Sequence, residues 1–423
     1  MQIEFSEFRL ENNIRVVLSE FSTTNAVAAN FIFGVGSRFE DEKLSGSSHL
    51  FEHMLFKGTK NKPSPKQISS IIENQGGTIN AFTDKEITGY WANFPKEHTR
   101  PSIELFSDMI QNSLMRNQDL ILEKNVVIEE IKSSLDNPYS VCITNYEKET
   151  WINHSMGRDV AGTEKSVNNL TIKSLKAFYK KFYTPDNLVI SISGNIDKNS
   201  VIDQLENNFK NFNHKKNILG NPIKTTSGFR QISVKKEIEQ SIVIIGFKSP
   251  DYLNEKKYAL SLISVILGES MGSRLFEEIR EKRGLAYDIH SSINLYSDTG
   301  VIYFEAGVDD KNLLEVIKLI FNELNKIKNL EIDEQELNSA KNLSVGRLLL
   351  RLENSRSISN FLGTQKILSD KITDVNEIIS KINNVNLNDI KILAKEIFIK
   401  ENLCISKVGP KNSMIEDFSN IDL

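Results

Sequence analysis

Apolar and polar residues alternate over the first 36 positions. "IEFSEFRL", "IRVVLSE" and "AVAANFIF" carry the two-residue period of β-strands and are joined by polar turns such as Glu11-Asn12-Asn13. "SGSSHLFEHMLFKGT", Ser45 to Thr59, switches to a helical period. A Pro-marked loop, "KNKPSPKQ", and a second helix, "QISSIIENQG", follow, and Gly76-Gly77 stops that helix. "TINAF" and "EITGYWANF" predict a strand pair, Lys96 to Lys181 reads as mostly helical, and "NLVISISGN" (Asn187–Asn195) closes the first half as a strand. Residues 211–228, "NFNHKKNILGNPIKTTSG", are polar and aperiodic and read as a linker. Beyond them the order restarts. Strands "RQISVKKE" and "SIVIIGFK" lead to helices over 253–269 and 273–282, strands "AYDIHSSINL" and "GVIYFEAGV", several helices and a closing "NLCISKVGP".

The two halves end alike. "LKAFYKKFYTPDNLVISISGN" and "IKILAKEIFIKENLCISKVGP" each give a helix, a turn, Asn-Leu and a strand that reaches glycine (Asn187/Gly194 and Asn402/Gly409). With the matching upstream order, this predicts a duplicated unit. Strands and helices come in clusters, which favours an α+β fold of two homologous domains over a doubly wound parallel sheet. Each domain is expected to be an antiparallel β-sheet packed with α-helices. A chain of 423 residues also exceeds one hydrophobic core. The expected division is 1–212, a linker at 213–228, and 229–423.

Composition narrows the partners. Apolar residues make up 39% and charged residues 26%, the balance of a folded soluble protein. A net charge of -4 and a pI near 6.0 carry no nucleic-acid footprint and no basic membrane face. Cys142 and Cys404 are the only cysteines and lie far apart, which suits a reducing compartment and suggests neither a disulfide framework nor a Cys-ligated zinc. "MQIEFSEFRLENNIRVV" lacks a basic-then-apolar leader, and the longest apolar stretch, "AVAANFIFGVG", is too short for a bilayer. These features predict a cytoplasmic protein without a membrane span.

His49 and His53 are two of six histidines and stand four apart, so a helix puts them one turn apart on one face. Two imidazoles then reach one metal ion, with Glu52 close enough to touch a water there. The plainer alternative is two ordinary histidines, each satisfied by a hydrogen bond. Leu50, Phe51, Met54 and Leu55 would anchor the helix. A hydrolytic zinc site needs a third protein ligand and an open position. The candidate for it is "LILEKNVVIEEIKSSLDNP", residues 120–138, a helix ended by Asn137-Pro138. Leu120, Val126, Val127 and Ile131 mark its buried stripe, and Glu123 and Glu130, seven apart, border it. For an isolated helix, Glu123, Glu129 and Glu130 would be solvated and paired with Lys124 and Lys132. A metal that demands a third ligand reverses that preference. His98, His154, His214 and His290 lack partners at ligand spacing and read as ordinary residues.

His49-x-x-Glu52-His53 followed by Glu130 resembles the inverted His-x-x-Glu-His motif of the pitrilysin family of zinc metallopeptidases. "GGTINAFTDKEITGYW", "GRDVAGTEKSVNNLT" and "MGSRLFEEIREKRGLAYDI" match that family in its order, nearly end to end. The resemblance implies a peptide-bond hydrolase with one Zn²⁺ per chain on His49, His53 and Glu130; Mn²⁺ or Co²⁺ fits the same donors. Glu52 would act as general base and then acid, with Glu123 beside the site to orient a ligand. Asn80-Ala81-Phe82, at the end of a strand, would accept the peptide as an extra strand. Arg280 and Tyr287 would contact substrate from the second half, so the halves would close as a clamshell around an unfolded peptide. Without the family, Arg280 would read as an ion-pair partner of Glu277 and Tyr287 as half-buried. The length resembles half-length members that dimerise. A homodimer is expected, with a heterodimer with an inactive homologue as the alternative. One departure stands out: "YSVCIT", Tyr139 to Thr144, lacks the acids with which some members read a presequence arginine. General oligopeptide cleavage therefore gains over leader-peptide processing, and a non-catalytic structural subunit is the remaining alternative.

Overall fold

The structure is a computed structural model that describes residues 3–213, 222–223 and 228–410. The expected linker lies largely outside the described residues, as does His214. The strands are β1 (Ser6–Arg9), β2 (Arg15–Glu20), β3 (Ala26–Phe33), β4 (Thr78–Thr83), β5 (Thr88–Pro95), β6 (Leu188–Gly194), β7 (Arg230–Lys235), β8 (Gln240–Ser249), β9 (Ala286–Leu295), β10 (Gly300–Asp309) and β11 (Leu403–Gly409). In the first half the helices are α1 (Ser47–Leu55), α2 (Pro65–Glu73), α3 (Thr99–Asn112), α4 (Asn117–Asp136), α5 (Pro138–Thr150), α6 (Glu164–Asn169), α7 (Ile172–Phe182) and α8 (Lys198–Phe209). In the second half they are α9 (Lys257–Gly268), α10 (Leu313–Lys328), α11 (Glu334–Arg351), α12 (Ser355–Ser369), α13 (Val375–Asn384) and α14 (Leu387–Ile397). The helix expected over 273–282 is a π-helical turn, Phe276–Glu281. Among the described residues no helix is long and apolar enough to cross a membrane.

The sheets run β1-β2-β6-β3-β5-β4 and β7-β11-β8-β10-β9. Apart from β1, both have the same strand order in space and along the chain, as a duplicated unit requires. All pairings are antiparallel except β2 with β6 and β7 with β11. The expected all-antiparallel pairing fails there for a geometric reason. The last strand of each half inserts between two oppositely directed strands, so it must run parallel to one of them. Central strands are buried on both faces: β6 and β11 are buried throughout. Hence "NLVISISGN" and "NLCISKVGP" read as nearly continuous apolar runs.

Two compact units result. The first comprises Met1–Lys132, Arg158–Asn221 and Leu349–Val375; the second comprises Ser133–Gly157, Pro222–Leu348 and Asn376–Leu423. In the first unit α12 covers one face of the sheet at β3 and β6. The approach is close. A Cβ on Gly363 would lie 2.8 Å from Ile32 and 2.9 Å from Ser191. Ser359 donates to the Ser191 carbonyl at 2.7 Å and accepts from Asn30 at 2.9 Å. In the second unit α5 lies on β11 and β8, with the Tyr146 hydroxyl 2.2 Å from where a Cβ on Gly246 would stand. Cys142 and Cys404 sit buried and unbridged in that layer. Helices α5 and α12 hold the same place in the element order of their halves, so each half lends its equivalent helix to the other sheet. In α4, Leu120 and Val127 are buried as expected; Val126 instead faces solvent at 44% exposure.

Candidate metal centre

Helix α1 starts at Gly46, whose φ of 91° favours glycine and whose added Cβ would meet the Ala161 carbonyl at 2.5 Å. The buried carboxylate of Glu40 accepts the N–H of Gly46 at 2.7 Å and of Ser48 at 2.6 Å. It thereby satisfies two of the open donors of the first turn. Arg158 donates to the Glu40 carbonyl, and Lys85 donates to the Arg158 carbonyl at 2.7 Å. These contacts give "GRDVAGT" a local structural role. Leu50, Phe51, Met54 and Leu55 are fully buried, and the Phe51 ring packs on Phe178, Tyr179 and Tyr183 with centroids 5.9, 5.7 and 4.5 Å away.

That anchoring leaves His49, Glu52 and His53 on the other side of α1. The imidazole centroids are 4.7 Å apart, their planes at 75°. Glu130, on α4, brings Oε2 to 3.7 Å from the Nε2 of both His49 and His53. A tetrahedral ion with ligand bonds of about 2.1 Å sets neighbouring ligand atoms about 3.4 Å apart. The observed spacing is near that value and too long for direct hydrogen bonds. Among the described residues these three are the only group of His, Cys, Asp and Glu side chains positioned to hold one ion, with ligand atoms all within 4.8 Å of one another. Two imidazoles and a carboxylate fit zinc.

Behind His53, Nδ1 meets Glu123 Oε2 at 3.0 Å, and Glu123 Oε1 meets Lys57 Nζ at 2.6 Å. His49 Nδ1 is buried and, among the described residues, has no hydrogen-bond partner. Thr83, the last residue of β4, donates to Glu52 Oε2 at 2.6 Å. Thr83, Lys57 and Glu40 all escape sequence reasoning, since their partners lie 31, 66 and 6 to 8 positions away with no spacing rule to connect them. Of the solvated pairs considered for α4, Lys132 does pair with Glu129, at 2.8 Å, while Lys124 donates to the Asn168 carbonyl.

Burial and the neighbouring His53 push His49 down to about 4, so its ring is neutral near pH 7. Burial opposes charge on His53 too, yet the Glu123 hydrogen bond and the charges of Glu130, Glu52 and Glu123 outweigh it and raise the value. Burial raises Glu52 despite the Thr83 hydrogen bond. For Glu123 burial acts upward, but hydrogen bonds from His53 and Lys57 prevail and hold it below the ordinary carboxylate value.

Asn80, Ala81 and Phe82 are the third to fifth residues of β4, with Phe82 next to its last residue, and among the described residues β4 is an edge of its sheet paired only with β5. In the second unit, Arg280 on the π-helical turn stacks between Phe276 and Tyr287, 4.7 Å from each ring, and donates to the Tyr287 carbonyl at 2.9 Å. Glu277 pairs with Lys282, and Tyr287 is 77% exposed. Arg280 thus has an ion-pair partner, but it is Glu281, at 3.8 Å, in place of the expected Glu277, and the tyrosine is exposed where the plain reading has it half-buried.

Comparison with known proteins supplies the family. Residues 15–164 match the family described as insulinase (peptidase family M16), and 169–344 match the peptidase M16 inactive domain. The uncharacterized zinc protease YmxG of Bacillus subtilis is 35% identical over 407 residues, 96% of this chain and 98% of that protein. The chain belongs to peptidase family M16. An uncharacterized zinc protease of Streptomyces coelicolor is 30% identical over 408 residues, covering 95% and 88% of the two chains. The M16 fold is matched by a protease crystal structure from Helicobacter pylori, with a TM-score of 0.89 at 24% identity over 97% of this chain and 100% of that one.

Proposed function

We propose that this M16 chain is a zinc-dependent endopeptidase acting on oligopeptides or unfolded segments. The observation that carries the reading is the convergence of His49, His53 and Glu130 from two helices beside a half-buried, hydrogen-bonded Glu52. Those three side chains would hold Zn²⁺, which when bound supplies a Lewis acid for a scissile carbonyl and acidifies a water. Thr83 occupies one oxygen of Glu52 and leaves the other to take a proton from the attacking water. The raised pKa of Glu52 makes it basic enough for that transfer and acidic enough to pass the proton to the departing amine as the C–N bond breaks. Glu123 fixes the His53 ring with Nε2 toward Glu130. The free edge of β4 at Asn80–Phe82 would bind substrate backbone, which gives affinity with loose sequence preference. Contacts to substrate carbonyls are assigned to Arg280 and Tyr287.

The test is cleavage of a quenched peptide by Glu52→Gln. Turnover falls by about 10²- to 10⁴-fold or more while one zinc per chain is retained. Unchanged turnover would refute the assignment.

A further inference from the structure

Glu123 has two oxygens and two tasks. Oε2 meets His53 Nδ1 at 3.0 Å, and Oε1 meets Lys57 Nζ at 2.6 Å. Its side chain is only 7% exposed, and a carboxylate so dry needs compensating charge. Among the described residues Lys57 is the one lysine or arginine in ion-pair reach of it. Lys57 is itself pinned. Its carbonyl accepts from Arg116 Nη2 at 2.7 Å, while Arg116 Nε meets Asp119 on the first turn of α4 at 2.5 Å and Nη1 reaches the Pro63 carbonyl at 3.1 Å. The lysine lies just past the C-terminus of α1, and Glu123 lies on α4. One ion pair therefore joins the two helices that carry the three converging side chains.

We infer that Lys57 is a positioning residue for the metal centre: it anchors Glu123, and through Glu123 the His53 ring and the spacing of α1 from α4. This rests on the reading of His49, His53 and Glu130 as ligands. Among the described residues the centre has no second anchor of this kind, because none of them bonds His49 Nδ1. An exposed ion pair would contribute little; this one is set apart by the burial of Glu123 and by its link to a ring nitrogen.

The test is a zinc competition titration against a chromophoric chelator, in the wild type, Lys57→Met, Lys57→Arg, Glu123→Gln, the Lys57→Met/Glu123→Gln pair, and Glu130→Gln as control. Lys57→Met weakens zinc by about 10- to 100-fold, and Lys57→Arg restores it to within about threefold. In the Glu123→Gln background, Lys57→Met adds less than about twofold, because the lysine acts through that carboxylate. The Co²⁺ absorption spectrum of Lys57→Met also differs from wild type. Native affinity in Lys57→Met, or an equal loss in both backgrounds, overturns the inference. If Glu130→Gln also binds zinc like the wild type, the ligand assignment itself fails.

Discussion

Replacing Glu40 by glutamine isolates one buried proton site beneath the histidine helix. Burial pushes this carboxyl up to about 7, although the Ser48 and Gly46 N–H groups and Arg158 act the other way. The gap from the ordinary 4.5 corresponds to about 3 kcal/mol, at about 1.4 kcal/mol for each pH unit. Because the folded-state value lies above the unfolded one, the folded chain binds more protons between these limits. The contribution to stability is therefore full below about 4.5 and is lost as pH rises through about 7. Glutamine does not titrate. Relative to wild type, Glu40→Gln should gain about 3 kcal/mol between pH 4 and pH 8, on top of a constant cost for turning an amide toward a backbone N–H. Glu40→Ala at pH 4 leaves two buried donors open and should cost about 2–4 kcal/mol. Urea denaturation of the metal-free protein across pH 4–8 measures both. A variant-minus-wild-type difference that is flat with pH, or that falls, would show that the two N–H donors and the helix terminus outweigh burial.

Other perturbations reach different parts of the molecule. Thr83→Val removes the hydrogen bond to Glu52 and should lower kcat by about fivefold, about 1 kcal/mol, with KM unchanged in peptide cleavage. Zinc affinity should rise with pH near neutrality, since His53 must lose a proton to ligate and its pKa is raised; equilibrium dialysis at pH 6 and 8 reads this out. Phe51→Ala deletes a fully buried ring in contact with three others and should cost about 3–5 kcal/mol in thermal or urea unfolding. Gly246→Ala drives a methyl into the Tyr146 hydroxyl and should destabilise the second unit by about 1–3 kcal/mol or more, seen as faster amide exchange in β8 and α5.

Much of this architecture was legible along the chain. The four-residue spacing puts His49 and His53 on one face, and the seven-residue spacing puts Glu123 and Glu130 on one side of α4. The repeated Asn-Leu-strand-Gly ending marks the duplication. What stayed hidden is non-local. The insertion of β6 between β2 and β3 leaves no periodic trace. Neither does the exchange of α5 and α12, because a helix's apolar face does not say which sheet it covers. Val126 reads as core, yet it lies on the solvent side of α4. The Glu52–Thr83 and Glu123–Lys57 contacts join residues 31 and 66 positions apart that only the folded chain brings together.

The most direct measurement is anomalous diffraction at the zinc edge from crystals of the zinc-loaded protein. The account predicts a single peak per chain within about 2.0–2.2 Å of Nε2 of His49, Nε2 of His53 and a carboxylate oxygen of Glu130, with Glu52 outside the coordination sphere. A peak elsewhere, or one bound by Glu52 with Glu130 turned away, would contradict it.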